Sequence, residues 1–131
     1  MSQENVEVAQ ALVAASQRGD WEAAIDNYDP AVELDMARMP DGEIHSGRDA
    51  VWDFYRRWFG TWERLTITPE RFIDAGDSVV VVVRIAGVGR RSGVETSMRA
   101  ADVLTLRGGR VIRHVGYPDA SEALEALGLR E

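Results

Sequence analysis

Two residues able to move a proton sit where an apolar pattern should continue. Residues 98 to 119 read MRAADVLTLRGGRVIRHVGYPD. This is the pattern of two strands about an Arg-Gly-Gly-Arg turn, yet Asp102 interrupts the first and His114 the second. An ionised carboxylate in an apolar interior is costly unless it is paired or protonated. Either these side chains face water or they line a space made for something. Counting by twos places Ala100, Asp102, Leu104 and Leu106 on one strand face, and Ile112, His114 and Gly116 on one face of the next. The turn at Gly108 and Gly109 brings the two strands side by side. A carboxyl near an imidazole is acid–base chemistry, because an unperturbed histidine titrates at about 6.5. Two competing readings stay open: Asp102 is satisfied by Arg99, His114 or another cation, and His114 is held by a neighbour for structure alone.

Other chemistries lack their residues. The chain of 131 residues contains no cysteine, which excludes disulfides, thiolate nucleophiles and cysteine-ligated zinc, and fits a reducing compartment. Its two histidines, His45 and His114, show neither His-x-His nor His-x3-His spacing, so no metal site is expected. Gly87-Val88-Gly89 has no helix after it to complete a phosphate loop. The formal net charge of −7 disfavours nucleic acid and anionic membrane as partners. The N-terminus does not read as a secretory signal, and no apolar run approaches the roughly 18 residues of a membrane span. The expectation is a soluble, cytoplasmic, single domain spanning 1–131.

The elements that would position Asp102 and His114 follow from the pattern. Ser2 is a candidate N-cap for a helix whose stripe, Val6, Ala9 and Val13, stops at Arg18-Gly19. Asp20 caps a second helix, WEAAIDNY, closed by Asp29-Pro30. Val32 to Met36 reads as a short strand, and residues 37–47 as a polar loop. In a third helix, residues 49–62, Val51, Tyr55, Trp58 and Trp62 share a face. The rest is strand: Pro69 implies an edge or a bulge, and Val79 to Val83 is five valines in succession. A strand wetted on one face should alternate, so both faces of this one are covered. The chain's own helices are expected to cover only one, which points to a second subunit on the other. Residues 94–107 and 110–117 complete the meander, and Ser121 to Leu127 forms a last helix. Helices ahead of an antiparallel meander make an α+β layer fold.

An ordered set of short motifs runs through this frame: Gln17-Arg18-Gly19-Asp20-Trp21, Asp29-Pro30-Ala31-Val32-Glu33, Ser46-Gly47-Arg48-Asp49-Ala50-Val51, Phe72-Ile73-Asp74-Ala75-Gly76-Asp77, and residues 104–112. In this set the chain resembles the SnoaL-like polyketide cyclases, within the superfamily of ketosteroid isomerase and nuclear transport factor two. The resemblance implies a cone-shaped curved sheet around the N-terminal helices, an apolar cavity at one end, and a homodimer formed through the sheet.

The same resemblance assigns roles residue by residue. Asp102 falls where the isomerases hold a cavity acid neutral so that it can donate to an oxyanion, an arrangement that serves as a standard example of pKa tuning. Asp35 is the candidate base, although the matching position is Leu34 and the carboxylate stands one residue on. Such a shift moves it to the opposite face unless a bulge intervenes. The isomerases' helix-one tyrosine corresponds to Leu12, which argues against a steroid-isomerase mechanism. Gly116 and the three-residue spacing of Arg99 and Asp102 argue against an epoxide hydrolase. Tyr28 and Tyr55 lie near positions of supporting tyrosines.

The expected site is thus Asp102 with His114 and Asp35 as catalytic groups. Tyr55, Trp58, Phe59, Tyr117 and Leu12 would contact a small apolar or aromatic ligand. Isomerisation, cyclisation or dehydration of a small carbonyl compound would need no cofactor. A non-catalytic binding module, or a dimerisation domain whose cone is filled by its own side chains, are the alternatives.

Overall fold

The computed structural model describes residues 2–129. The Ser2 side chain, named above as a cap, lies outside the described residues, as do Met1, Arg130 and Glu131. Helix α1 (Ser2–Gln17) presents Ala9, Leu12 and Val13 to the core. It ends where Gly19 takes φ +73°, with Asp20 N–H donating to Ala15 O, a backbone conformation that glycine adopts without a Cβ penalty. The Asp20 carboxylate then accepts from Ala23 N–H at 3.1 Å, as expected of an N-cap, and opens α2 (Trp21–Ile25).

From there the chain departs from its sequence pattern. Helix α2 stops at Ile25, and β1 runs Tyr28–Asp35, so Tyr28, Asp29 and Pro30 are strand rather than helix end. The strand absorbs Pro30 because its register against β6 shifts between Tyr28 and Glu33, and proline is tolerated where the ladder is interrupted. The polar loop contains a short strand, β2 (Ile44–Ser46), paired with the end of β1. Helix α3 spans Arg48–Gly60, which leaves Trp62 in β3 (Trp62–Ala75) and not on the helix face. Pro69 meets both parts of its expectation: β3 is an edge strand, and its register shifts between Pro69 and Arg71.

The strands β4 (Ser78–Gly89), β5 (Glu95–Arg107) and β6 (Arg110–Tyr117) complete a curved six-stranded sheet in the order β2-β1-β6-β5-β4-β3. Only the β1–β6 pair is parallel. The inner face carries Val79, Val81, Val83, Ala100, Leu104 and Leu106 against α1 and α3. A bulge between Thr105 and Leu106 places Val111, not Ile112, in that core beside Leu106.

The outer face overturns one inference. All five valines are buried, but the outward pair, Val80 and Val82, packs with Ala101 and Val103 against Ala123 and Leu124. Those last two belong to α4 (Ala120–Ala126), capped by Asp119 through Glu122 N–H. The chain's own C-terminal helix therefore covers the second face here, and the valine run carries no argument for a partner subunit.

Candidate functional site

The ladder brings Asp102 and His114 to one face. Leu104 pairs with His114, and Asp102 with Gly116, so the two polar side chains are diagonal neighbours on the inner surface. His114 Nε2 lies 3.0 Å from Asp102 Oδ1, with 6% of the imidazole side chain and 22% of the carboxylate exposed. The distance is that of a hydrogen bond but the direction is not. The carboxylate oxygen stands off the N–H axis, and the buried Nε2 has no aligned partner. Distance alone does not make a bond: the two groups are in contact, and the nitrogen is unsatisfied. Arg99, the other candidate partner of Asp102, is committed elsewhere: it is on the outer face, with Nε donating to Glu70 at 2.9 Å.

On its other side His114 is anchored. Nδ1 is 2.7 Å from the hydroxyl of Tyr28, which lies 2.8 Å from that of Tyr55. Tyr28 is 1% exposed. Burial, reinforced by the neighbouring Tyr55 and by the Asp102 charge, pushes its hydroxyl well above the usual tyrosine value. Burial likewise pushes Tyr55 up, outweighing the opposing hydrogen bond from Tyr28. Both stay neutral at physiological pH. Each can turn its one proton but not shed it.

The line Tyr55–Tyr28–His114–Asp102 therefore has two consistent settings. Tyr28 donates to Nδ1 and Nε2 carries the imidazole proton beside Asp102, or Nδ1 donates to Tyr28 and Nε2 is bare. Sequence reading placed Tyr28 at a helix end and noticed it only loosely. No local sequence signal marks it, because its partner lies 86 residues away.

The remaining expected residues are distributed more widely. Phe59 stacks between Trp21 and Tyr55, with ring centroids 3.4 and 5.5 Å away, so it reaches the tyrosine end of the line. Trp58 is edge-on to Phe59 and Trp62, one ring further from His114. Leu12 is ordinary core at 8% exposure. Tyr117 pairs with Ala101, which puts it on the outer face by α4, where the Arg38 guanidinium lies 5.2 Å above its ring.

Asp35 pairs with Val115, which pairs with outward-facing Val103. No bulge intervenes, so Asp35 faces away from Asp102 and His114. It is a loop anchor: it accepts from Ala37 N–H at 3.0 Å and from Arg38 at 3.1 Å, with Arg113 3.8 Å away. The Ala37 amide first, then the two arginines, hold its carboxyl below the usual carboxylate range. A carboxyl depressed in the folded state stabilises it above its unfolded value of about 3.9, and that stabilisation disappears as pH falls through the folded value. Asp35→Asn is therefore expected to lower the urea midpoint at pH 7, with the difference from wild type shrinking as pH falls below the usual carboxylate range.

Two open grooves lie away from this line. One, about 350 Å³, is bordered by Asn5, Asp77, Arg107 and the Gly108–Gly109 turn. The other, about 200 Å³, lies between the end of α1 and β3, at Trp21 and Ile67. The space over Gly116, beside Asp102, is taken by Met36, whose Sδ would be 2.5 Å from a Cβ at that glycine. No group of three or more potential metal ligands clusters among the described residues, and no described helix is long and apolar enough to cross a membrane.

Residues 9–114 match the family model described as a SnoaL-like domain. Among solved structures, an NTF2-like protein from Burkholderia thailandensis E264 is 27% identical, with a TM-score of 0.80 over 94% of this chain and 96% of that one. A proposed SnoaL-like polyketide cyclase from Jannaschia sp. CCS1 is 21% identical, with a TM-score of 0.79 over 99% and 95%. A Catenulispora acidiphila protein with a ketosteroid isomerase-like fold, solved in complex with trimethylamine, is 20% identical, with a TM-score of 0.76 over 94% and 93%. No curated protein matches the sequence.

Proposed function

The chain belongs to the SnoaL-like domain family, and we propose that it binds a small carbonyl compound beside Asp102 and moves a proton on it. The reaction class is isomerisation, intramolecular cyclisation or dehydration, without a cofactor. The observation that carries this reading is the unsatisfied Nε2 of His114, buried beside Asp102 in an otherwise apolar face and braced from behind by two neutral tyrosines.

The chemistry follows from the second setting of the line. Asp102 in its protonated form donates to the ligand carbonyl while the bare Nε2 takes a proton from the adjacent carbon. The C–H pair becomes the enol double bond, and the carbonyl oxygen takes the Asp102 proton, leaving Asp102 as a carboxylate. The resulting imidazolium is held by its Nδ1–H donating to Tyr28 and by the Asp102 carboxylate. Returning the proton to a different carbon isomerises the ligand, attack of the enol carbon on a second carbonyl closes a ring, and loss of a β-hydroxyl as water dehydrates it. Positioned acid–base groups of this kind are worth about 10² to 10⁴ in rate. Asp35 has no part in these steps.

A second reading, binding without turnover, is favoured by the packed Trp21–Phe59–Tyr55 stack, which leaves aromatic surface for a ligand but supplies no further acid or base. The homodimer implied by family resemblance would use the outer face that α4 leaves open, around Arg84 and Arg99.

Proton NMR in D₂O separates the readings. Small cyclic ketones are expected to exchange their α-protons faster with the protein, saturably in ketone. Saturable quenching of tryptophan fluorescence with no exchange would overturn catalysis in favour of binding.

A further inference from the structure

The place next to Asp102 is filled by groups that can leave it. Gly116 is the cross-strand neighbour of Asp102 and offers no side chain. A Cβ built there would be 2.5 Å from Met36 Sδ, 3.4 Å from Met36 Cε and 3.5 Å from Met39 Cγ. Both methionines are only partly buried and lie against the inner core cluster. Met36 follows Leu34 by two residues, so the end of β1 aims it inward.

The backbone beneath these side chains is tied down. Met36 N–H donates to Glu43 O, Met39 N–H to Met36 O, and Gly42 N–H to Met39 O. Gly42 allows this crossing because a Cβ there would overlap the Met36 carbonyl. Arg38 points the other way, clamped to Asp35 and lying over Tyr117. A fixed loop thus carries two thioethers, which are unbranched, turn about three bonds and lack a strong partner. Neither can donate to Asp102 or accept well from His114 Nε2, so they fill the place over Gly116 without satisfying the pair beside it.

From this arrangement we infer that Met36 and Met39 are a displaceable plug: the ligand's apolar body takes the position of their thioethers over Gly116, and their rotation sets what the site admits. The inference rests on the proposed function and adds where the ligand sits and which residues select it. A compact ring or short chain bearing one carbonyl fits a space vacated by two thioether ends, with its oxygen towards Asp102 and its body over Gly116. Rotation costs affinity in proportion to the rarity of the open rotamers. If these are populated about one tenth of the time, removing one thioether tightens binding about tenfold.

The test uses acetophenone with the full chain, read by tryptophan fluorescence and by the methionine methyl resonances, assigned with Met36→Ala and Met39→Ala. Acetophenone is expected to shift both methyls, to bind about tenfold tighter to Met36→Ala, and to bind more weakly to Gly116→Ala, whose methyl cannot leave. Met36→Leu, which keeps the bulk, guards against misfolding of the alanine variant and is expected to bind more weakly than wild type. Saturable acetophenone binding whose α-proton exchange is lost in Asp102→Asn, yet which leaves both methyls unmoved and the Met36→Ala affinity unchanged, would overturn the plug and leave the proposed site standing. Failure of acetophenone and of the cyclic ketones to bind wild type, Met36→Ala and Met39→Ala alike would overturn both.

Discussion

Asp102→Asn is expected to slow α-proton exchange of a bound ketone by about 10² to 10⁴-fold while changing ketone affinity only a few fold. Asparagine keeps the shape and still hydrogen-bonds a carbonyl, but it has no proton to surrender and none to take back. The loss should therefore appear in turnover rather than in binding, the signature of an interaction made in the transition state. His114→Gln is expected to fall by a similar factor, and the double variant by little more than either single one, because groups acting as a unit do not add. A purely structural Asp102 gives a different pattern: the urea midpoint drops, exchange is unaffected, and the double variant is additive. Tyr28→Phe probes the brace. It leaves Nδ1 of a 4%-exposed histidine with only the longer 3.4 Å contact to the Tyr55 hydroxyl, at a cost of up to about 1–3 kcal/mol of stability. It also frees the imidazole to change setting, which should shift the pH profile of exchange.

Much of this site was legible because the strand period is simple. Alternation about Asp102 placed it with Ala100, Leu104 and Leu106, and all four do face inward. Pro69 announced an edge or a bulge, Asp20 a cap, and the ordered motifs a family and its cone. The period failed where the chain inserts or shifts a residue. The bulge at Thr105–Leu106 exchanges Ile112 for Val111. The one-residue offset of Asp35 sends it to the outer face, as the rule of register demands, although resemblance had suggested a base there. Tyr117 errs in the same sense, since its pairing with Ala101 puts it outside.

What could not be read was whatever depends on long-range contact. Tyr28 and Tyr55 are separated from His114 by 86 and 59 residues, and no local pattern marks a hydroxyl that will meet an imidazole across the fold. Met36 over Gly116 is similar: a glycine in a strand signals a close approach, but not by which side chain. The valine run shows the same limit. Continuous burial was correctly inferred, while the identity of the cover was not, because which element folds back onto Val80 and Val82 is set by tertiary contact and not by the strand's own pattern.

That cover carries the second large effect, at Leu124. Its side chain is 3% exposed and packs on the outward pair Val80 and Val82. Leu124→Ala is expected to lower stability by about 2–5 kcal/mol, or roughly 6–20 °C in Tm for a chain of this size. Two terms contribute: leucine atoms are no longer removed from water, and a strand buried on both faces gains a gap that neighbouring valines, stiff at χ1, relax into only in part. Thermal unfolding over a hundredfold range of protein concentration identifies the cover. If α4 supplies it within each chain, the deficit of Leu124→Ala is the same at every concentration. If a second chain completes that face, the wild-type Tm rises with concentration by mass action, and the deficit varies with it. The first result is expected, because Val80 and Val82 already reach 0% and 7% exposure within one chain, leaving little apolar surface there for a partner to bury.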